Sequence, residues 1–255
     1  MTSYGKLCTE FYEIDKPDPL PDALEFYLRE AERAEGPILE PMCGSGRYLL
    51  PLLERGFDIE GSDTSAHMLA ACRARAAKAE LAPRLAEQAL HQLESPQRYA
   101  LIFIPSGSFC LITDPAVVRE SLRRVYAALA PGGRFIAEIE RRDPKKHSEL
   151  SGTWGGRWVT RPDGAKIIIN WLSQYAASTG VVSSVHRYDL VKDGRLVEQE
   201  YEDFELKLYD LSEFRELLRS GGFTQIQVVN AYEGSPIDEE ALVTEEDAML
   251  FIAQR

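Results

Sequence analysis

A glycine turn between two acidic residues is the place where residue types and spacing first indicate chemistry. Glu40 follows the apolar pair Ile-Leu and precedes the segment 41–47, Pro-Met-Cys-Gly-Ser-Gly-Arg. Asp63 lies 17 residues after Gly46, at the end of the segment 56–63. A buried strand, a glycine turn, a helix and a second strand that ends on a carboxylate are typical of a nucleotide-binding α/β unit. The pattern therefore predicts a site for a nucleotide-containing ligand.

The chemistry expected at this turn follows from backbone freedom and hydrogen-bonding capacity. Gly44 and Gly46 permit positive φ angles and a close approach of the backbone to a ligand. The helix predicted over 47–55 points its N-terminus at the turn, where free N–H groups favour a carboxylate or a phosphate. Asp63 can accept both hydrogen bonds of a ribose diol, and it can also cap the helix predicted over 66–78. Both interpretations are compatible if Asp63 binds the ribose and Ser65 caps the helix.

The elements around the turn alternate between strands and helices. Residues 9–21 contain three prolines, which favour an extended or irregular arm, and Tyr12 in this arm is placed to fold over a ligand. A helix is predicted over 23–34. Apolar runs at 100–104 and 134–139 are typical of parallel strands that are covered on both faces.

After Pro144 the pattern changes to amphipathic strands that are separated by turns. Asp-Gly lies in two of the turns, at 161–164 and 192–195, which is a good hairpin signal. We expect an antiparallel insertion of about four strands over the active-site edge of the main sheet. Its strands are predicted at 154–160, 165–174, 181–191 and 196–209. Two later strands, at 224–232 and 249–253, are expected to close the main sheet as its antiparallel edge.

The order and spacing of four segments resemble the class I S-adenosylmethionine-dependent methyltransferases. These segments are 39–47, 61–69, 99–104 and 129–135. The resemblance covers roughly residues 36–140. It implies an α/β fold, a Rossmann-like doubly wound sheet of about seven mostly parallel strands, and S-adenosyl-L-methionine as the cofactor.

The resemblance also implies roles for individual residues. Glu40 would orient the methionyl end of the cofactor, and the turn from Gly44 would run beneath it. Asp63 would hold the ribose hydroxyls, while Thr64 and Met68 would pack near the adenosine. The full set of predicted cofactor-binding residues is Tyr12, Glu40, Met42, Cys43, Gly44, Ser45, Gly46, Arg47, Asp63, Thr64, Met68, Gln88, Ala89, Leu90, Ile104 and Ser106.

The sequence departs from the family at the predicted adenine position. After the third strand, family members often carry an acidic residue that accepts a hydrogen bond from the adenine amino group. Ala89 stands at that position, and its side chain cannot accept a hydrogen bond. Recognition of adenine is therefore expected to rest on backbone groups, on Gln88 or Gln92, or on apolar packing by Leu90.

The acceptor side of the site is predicted from the strand that ends at residue 104 and from the insertion. Ligands of open α/β sheets bind beyond the carboxyl ends of strands, which places Ser108 and Phe109 beside the transferred group. Trp154 and Trp171 are predicted to form a substrate wall, because aromatic faces suit an amine or a sulfonium. An ordinary polar turn and a packed sheet are the alternative interpretations.

An amine or hydroxyl acceptor needs a base to remove its proton. The candidates within reach of the predicted cleft are His186, Tyr12, Glu138 and Glu140. His186 lies on a predicted strand, where a single histidine is also often structural. No metal site is predicted, because the four cysteines are scattered without a CxxC pair.

Charge and composition limit the partners that are expected. The formal charge is −12, and residues 189–255 carry 17 acidic against 6 basic side chains. Such a surface repels a phosphate backbone, which argues against nucleic acid and an anionic membrane. We therefore expect a small-molecule substrate. The start of the chain lacks an apolar signal core and no apolar run is long enough for a membrane span, so a cytoplasmic protein is expected. The oligomeric state is left open.

The predicted division of the chain is an N-terminal arm and helix over 1–35, a methyltransferase domain over 36–142 and 210–255, and a substrate cap over 150–209. The predicted function is methyl transfer by in-line displacement to a small polar or amine-bearing molecule.

Two alternative functions stay open. One is an NAD(P)-dependent oxidoreductase, which Glu40 and the leucine at position 49 disfavour, because both stand where glycines are usual. The other is a non-catalytic module that binds S-adenosylmethionine.

Overall fold

The computed structural model describes residues 4–94, 98–229, 232 and 248–255. Within these ranges the α-helices are Lys6–Asp15 (α1), Pro21–Glu32 (α2), Leu49–Glu54 (α3), Ala66–Lys78 (α4), Pro115–Ala128 (α5), Pro144–Leu150 (α6) and Leu211–Ser220 (α7). The strands are Ile38–Pro41 (β1), Ile59–Asp63 (β2), Arg84–Glu87 (β3), Tyr99–Ile104 (β4), Leu129–Glu140 (β5), Trp154–Thr160 (β6), Lys166–Ala176 (β7), Val181–Lys192 (β8), Arg195–Lys207 (β9), Thr224–Val229 (β10) and Ala248–Gln254 (β11). Short 3-10 helices are Leu90–Gln92 and Ser108–Leu111.

The main sheet has seven strands in the order β10-β11-β5-β4-β1-β2-β3. Strand β1 pairs in parallel with β2 on one side and with β4 on the other, so that Ile38 opposes both Ile59 and Leu101. Strands β2 and β3 therefore lie on one side of β1, and β4 and β5 lie on the other side. Such a switch point opens a crevice at the carboxyl ends of β1 and β4, where ligands of doubly wound sheets bind. The structure confirms the predicted Rossmann-like fold.

The last two strands close the main sheet at one edge, as the sequence predicts. Strand β11 is antiparallel to both of its neighbours, β5 and β10, with Leu250 opposite Glu138 on one side and Val229 on the other. Strand β11 lies inside the sheet, and β10 forms the edge and runs parallel to β5. The sequence segments predict the two strands, but they do not reveal this order.

Strand β4 shows why the centre of the sheet is apolar throughout. Leu101 and Phe103 belong to one hydrophobic cluster, whereas Ile102 and Ile104 belong to another on the opposite face. Successive side chains of a strand point to opposite faces, so a strand that is covered on both faces must be continuously apolar. Each such buried side chain contributes about 1.5–3 kcal/mol.

A second, antiparallel sheet has the order β6-β7-β8-β9. Its four strands confirm the predicted antiparallel insertion. One face of this sheet packs against α1, whose Leu7 and Phe11 share a buried cluster with Ile167, Ile169 and Tyr188. The helix α6, which the sequence did not predict, precedes the sheet and has no buried residue.

Helix α1 replaces the arm that the prolines predicted. Leu7, Cys8 and Phe11 recur at helical spacing and are all buried. The helix ends at Asp15, two residues before the first of the three prolines, at position 17. The prolines therefore separate α1 from α2, and the prediction was wrong because it extended their influence back to residue 9. None of the helices in the described ranges has both the length and the apolar character that crossing a bilayer requires.

Candidate active site

A cavity of about 630 Å³ lies at the carboxyl ends of β1, β2 and β4, and α1 covers part of it. It is lined by residues from seven parts of the chain. They are Tyr4, Tyr12, Glu40, Met42, Cys43, Gly44, Arg47, Tyr48, Asp63, Thr64, Met68, Gln88, Ala89, Leu90, His91, Pro105, Ser106, Ser108, Leu111, Ile112, Thr113, Asp114 and Val117.

The turn after β1 forms the floor of this cavity through a left-handed backbone. Met42, Gly44 and Gly46 have φ angles of 59°, 53° and 78°. The N–H of Cys43 donates to the carbonyl of Ser62 at 3.0 Å, which fixes the turn to the end of β2. Because Gly44 has no side chain, its backbone is exposed toward the cavity, where a ligand can approach it closely.

Asp63 connects the glycine turn to the start of α4. Its Oδ2 accepts a hydrogen bond from the N–H of Gly44, and its Oδ1 accepts one from the N–H of Ser65, both at 2.8 Å. Ser65, rather than Asp63, caps α4, because its Oγ accepts from the N–H of Met68 at 3.1 Å. Burial raises the pKa of Asp63 above its usual value, and the backbone N–H groups oppose the shift. Each carboxylate oxygen keeps a further lone pair for a ligand hydroxyl.

Glu40 carries the most unusual carboxyl group of the cavity. The residue is 2% exposed, and its Oε2 is buried with no hydrogen-bond partner within the described part of the chain. Burial raises the pKa of Glu40 well above its usual value, against the opposing effects of Arg47 and the N–H of Leu49. An orphaned buried carboxyl oxygen in a ligand cavity is a place for a cationic or hydrogen-bond-donating group.

Arg47 joins the glycine turn to the loop after β4. Its Nη2 donates to Ser106 Oγ at 2.6 Å, and its Cζ lies 5.5 Å and 5.4 Å from the ring centroids of Tyr12 and Tyr48. The N–H of Ser106 donates to Glu138 Oε2 at 2.8 Å. These contacts hold the loop after β4 against the wall of the cavity.

Three solved structures are similar to this fold over nearly its whole length. An S-adenosylmethionine-dependent methyltransferase from Clostridium acetobutylicum ATCC 824 has a TM-score of 0.77 and 18% identity, over 98% of this chain and 97% of that one. The sugar N-methyltransferase KedS8 from Streptoalloteichus sp ATCC 53650 has a TM-score of 0.75 and 17% identity, over 100% and 95%. The amino pentose methyltransferase CalS10 from Micromonospora echinaspora, solved with S-adenosylmethionine bound, has a TM-score of 0.69 and 18% identity, over 100% and 99%. At these identities the likeness shows the fold.

The sequence comparisons cover part of the chain. A protein of Geobacillus sp. (strain WCH70) that is named a methyltransferase is 26% identical over 102 residues, which are 40% of this chain and 41% of that protein. The chain thus matches less than half the length of this curated relative. Residues 38–133 match the family of methyltransferase domains. This segment is therefore similar to methyltransferase domains, and the fold is similar to that of S-adenosylmethionine-dependent methyltransferases.

The cofactor of these methyltransferases is S-adenosylmethionine. The residues of the cavity fit its chemistry, because the cofactor carries an ammonium, a sulfonium and a ribose diol. The orphaned Oε2 of Glu40 suits a cationic group, and the carboxylate of Asp63 suits a diol.

The cavity contains most of the predicted cofactor residues. Three others do not line it. Ser45 is buried in the turn and its Oγ has no partner among the described residues, while Ile104 is fully buried in the core on β4. Gly46 faces the core, since a Cβ there would lie 2.5 Å from Cys72 Sγ. The motif predicted a contact for every residue of the turn, whereas positions 45 and 46 do not line the cavity.

Of the residues predicted to contact the methyl acceptor, one lines the cavity and the others do not. Ser108 lines the cavity, but Phe109 is fully buried and packs edge-on against Phe214, with ring centroids 5.3 Å apart. Trp154 is 71% exposed on the edge strand β6, and Trp171 lies across the backbone of Gly155 on that strand. Neither tryptophan lines the cavity, and both belong to the second sheet.

Of the four candidate bases, the structure brings Tyr12 to the cavity, whereas His186, Glu138 and Glu140 do not line it. Glu138 is 6% exposed and holds the N–H of Ser106, which makes it a positioning residue for the loop. His186 stacks on Phe204 with centroids 5.0 Å apart, and burial lowers the pKa of its imidazole. Tyr12 is half-buried, and burial raises the pKa of its hydroxyl.

Several other residues that line the cavity belong to no motif from which a ligand contact could be predicted. Tyr4 precedes α1 and belongs to no motif, yet its carbonyl accepts from Ser65 Oγ at 2.7 Å. Asp114 caps α5 through the N–H groups of Ala116 and Val117, and a cap signal alone does not predict a cavity. The other unpredicted lining residues are Tyr48, His91, Pro105, Leu111, Ile112, Thr113 and Val117.

Further chemistry is limited in the described ranges. There, no three His, Cys, Asp or Glu side chains come together in an arrangement for a metal ion. The four cysteines are buried free thiols. The predicted division into domains and the predicted cytoplasmic location stay predictions.

Proposed function

We propose that this protein transfers the methyl group of S-adenosylmethionine to an amine nitrogen of a small polar molecule. The observation that carries the proposal is the buried, unpartnered Oε2 of Glu40 in the same cavity as Asp63. The pair matches the charged and polar ends of the cofactor. The acceptor class is supported by KedS8, a sugar N-methyltransferase, and by CalS10, an amino pentose methyltransferase, which share the fold.

In this proposal the protein acts mainly by holding the reactants. Glu40 binds the methionyl ammonium, Asp63 binds the ribose hydroxyls, and the backbone of Gly44 lies beneath the cofactor. Thr64, Met68 and residues 88–91 enclose the adenosine. When bound, the cofactor supplies an electrophilic methyl group on a sulfonium. Orientation of an acceptor in line with that group accounts for about 7 kcal/mol or more of the rate enhancement in favourable cases.

Tyr12 positions the acceptor in this scheme rather than removing its proton. Burial raises the pKa of its hydroxyl, with Arg47 opposing the shift, so that the phenol stays protonated at neutral pH. A protonated phenol can donate a hydrogen bond to an amine or accept one from it. The amine must therefore lose its proton to solvent or before it enters the cavity.

The second sheet and α1 act in this proposal as a cap over the methyltransferase domain. The cap corresponds to residues 150–209 together with the helix that they support. Tyr12 reaches the cavity from α1 and Tyr4 from the residues just before it, and the sheet buries another face of that helix. The cap would exclude water from the transferred methyl group.

Binding and turnover test the proposal directly. We expect S-adenosylhomocysteine to bind the protein, and we expect Asp63→Ala to weaken that binding by about a hundredfold, since two charge-assisted hydrogen bonds are lost. Asp58→Ala is the matched control, because Asp58 is an exposed aspartate at the start of β2 that pairs with Arg84. A panel of amino sugars and small amines is then assayed for methylated product by mass spectrometry.

Three results would each count against this function. Stabilisation by NAD alone would favour an oxidoreductase. Equal affinity of wild type and Asp63→Ala would remove Asp63 from the cofactor site. Tight cofactor binding with no methylated amine across the panel would favour a non-catalytic binding module.

A further inference from the structure

Arg47 places a guanidinium group in a cavity that is otherwise lined by acidic side chains among its charged residues. Among the described lining residues it is the single lysine or arginine, beside Glu40, Asp63 and Asp114. Its Nε is buried with no hydrogen-bond partner, and it forms no ion pair within the part of the chain that the structure describes. A guanidinium with unused donors is suited to a carboxylate or phosphate group, which it can bind through two parallel hydrogen bonds.

A second cation lies against the same aromatic ring. Lys16 Nζ is 5.9 Å from the ring centroid of Tyr12, and Arg47 Cζ is 5.5 Å from it. Lys16 is exposed at the C-terminal end of α1, and the neighbouring Asp15 is bound by Arg157 Nη2 at 2.8 Å. Both cations therefore contact the ring of Tyr12, which α1 presents to the cavity.

The two charges act on each other. Partial desolvation of its ammonium, and then the charge of Arg47, lower the pKa of Lys16, while Asp15 and Glu140 oppose the shift. An anion that contacts both of them would remove their repulsion and use the free donors of Arg47.

We propose that Arg47 and Lys16 form an anion site for the methyl acceptor, and that the acceptor therefore carries a carboxylate or phosphate as well as its amine. The inference rests on the proposed function and specifies its substrate class. Arg47 lines the cavity, whereas Lys16 lies outside it. The acceptor would enter past the C-terminal end of α1, with its anion at the two cations and its amine toward the cofactor.

The methionyl carboxylate of the cofactor has the same chemistry, so the experiment must separate the two sources. Inorganic phosphate is the probe, titrated at constant ionic strength into the full chain saturated with S-adenosylhomocysteine. We expect phosphate to bind, with about tenfold lower affinity in Lys16→Gln and in Arg47→Gln. Lys166→Gln is the matched control, because Lys166 Nζ also lies over an aromatic ring, 5.7 Å from the centroid of Trp158. Its affinity for phosphate should equal that of the wild type.

Each other outcome overturns the proposal. Phosphate that binds the free protein but is displaced by S-adenosylhomocysteine would assign the site to the methionyl carboxylate. Equal affinity in all four proteins, or no phosphate binding, would show that the cations form no anion site. Methyl transfer is assayed separately, so a protein that binds phosphate as expected but methylates no amine contradicts the proposed function alone.

Discussion

Glu40 is held in an environment that disfavours its own charge. Its carboxyl group is fully enclosed, and one oxygen lacks a partner among the described residues. Burial raises the pKa of Glu40 well above its usual value, so the group is protonated in the free protein over a pH range in which an exposed glutamate, with a pKa of about 4.3, is ionised. A cationic ligand reverses this preference, because it favours the ionised carboxylate. Binding and proton release are therefore coupled.

This coupling predicts the pH dependence of cofactor affinity. Affinity for S-adenosylhomocysteine should rise with pH from about 4.3 up to the raised pKa of Glu40 and then level off, with release of up to one proton from this group. Glu40→Gln should bind more weakly and release about one proton fewer. Calorimetric titration in buffers of different ionisation enthalpy measures the proton count. An unchanged count in Glu40→Gln would show that Glu40 does not ionise on binding.

The same shift affects folding stability with a defined sign. An acid whose pKa is raised in the folded state binds more protons there than in the unfolded chain, so its contribution to stability falls as pH increases through this window. Burial also raises the pKa of Asp63 and of Glu138. The three carboxyl groups therefore make the free protein less stable at neutral pH, where a bound cofactor compensates for Glu40.

The residues that line the cavity were predictable from the sequence only where a motif fixes their spacing along the chain. Glu40 and Asp63 are both at the cavity because strand ends in a parallel sheet meet at one edge. Tyr4 was not predictable, since its position depends on how α1 packs on a sheet that lies more than 150 residues later. The same limit applies to Phe109 and His186, whose burial is decided by distant partners.

At the scale of elements, the turn between β1 and α3 is held by close packing on α4. Gly46 has a φ of +78°, and a Cβ added to it would meet Cys72 Sγ at 2.5 Å and Leu50 Cγ at 3.0 Å. Two penalties therefore act against any larger residue, one from the backbone and one from the core. The glycine that looked like a ligand contact is required by packing.

We expect Gly46→Ala to lower the free energy of unfolding by about 3 kcal/mol, from left-handed strain and overpacking together. Gly56→Ala isolates the backbone effect, because Gly56 has a φ of +86° and its Cβ would meet nothing within 4 Å. It should cost about 1 kcal/mol. Urea unfolding of both variants provides the comparison. If both variants lost the same free energy of unfolding, the side chain of Cys72 would be able to move away from the new methyl group without cost.

The helical elements also show which sequence signals were reliable. Apolar runs located β1 and β4, and Asp-Gly turns located the hairpins of the second sheet, since these signals depend on neighbouring residues. Helix α1 was missed because three apolar residues over two turns give a short pattern, and the prolines that follow it were read as part of the same segment. The position of β11 depends on pairing partners more than 100 residues away.

At the scale of the whole molecule, α1 couples the second sheet to the cavity. Phe11 is 4% exposed and packs against Tyr188 of β8, with ring centroids 6.0 Å apart. The other side of α1 presents Tyr12 to the cavity. Loss of packing between the helix and the sheet should therefore reach the cofactor site.

We expect Phe11→Ala to destabilise the protein by about 3 kcal/mol and to weaken S-adenosylhomocysteine binding by about tenfold, because α1 would be released from the sheet more often. Phe223→Ala is the matched control. Phe223 is 3% exposed and packs on Phe135 and Tyr126, in the core of the main sheet. Phe223→Ala should lose about as much stability as Phe11→Ala, but its affinity for S-adenosylhomocysteine should stay that of the wild type. Thermal unfolding and calorimetry separate the two effects, and an equal loss of affinity in both variants would contradict the coupling.

The place of β11 in the main sheet has a consequence for biosynthesis. Strand β10 contacts the rest of the sheet through β11, which follows the other described strands of this sheet in the sequence. During translation, β5 therefore keeps an open edge, and β10 lacks its partner in this sheet, until residues 248–254 leave the ribosome. An open edge of this kind is a site for intermolecular strand pairing, so the nascent chain is exposed to aggregation until β11 joins the sheet.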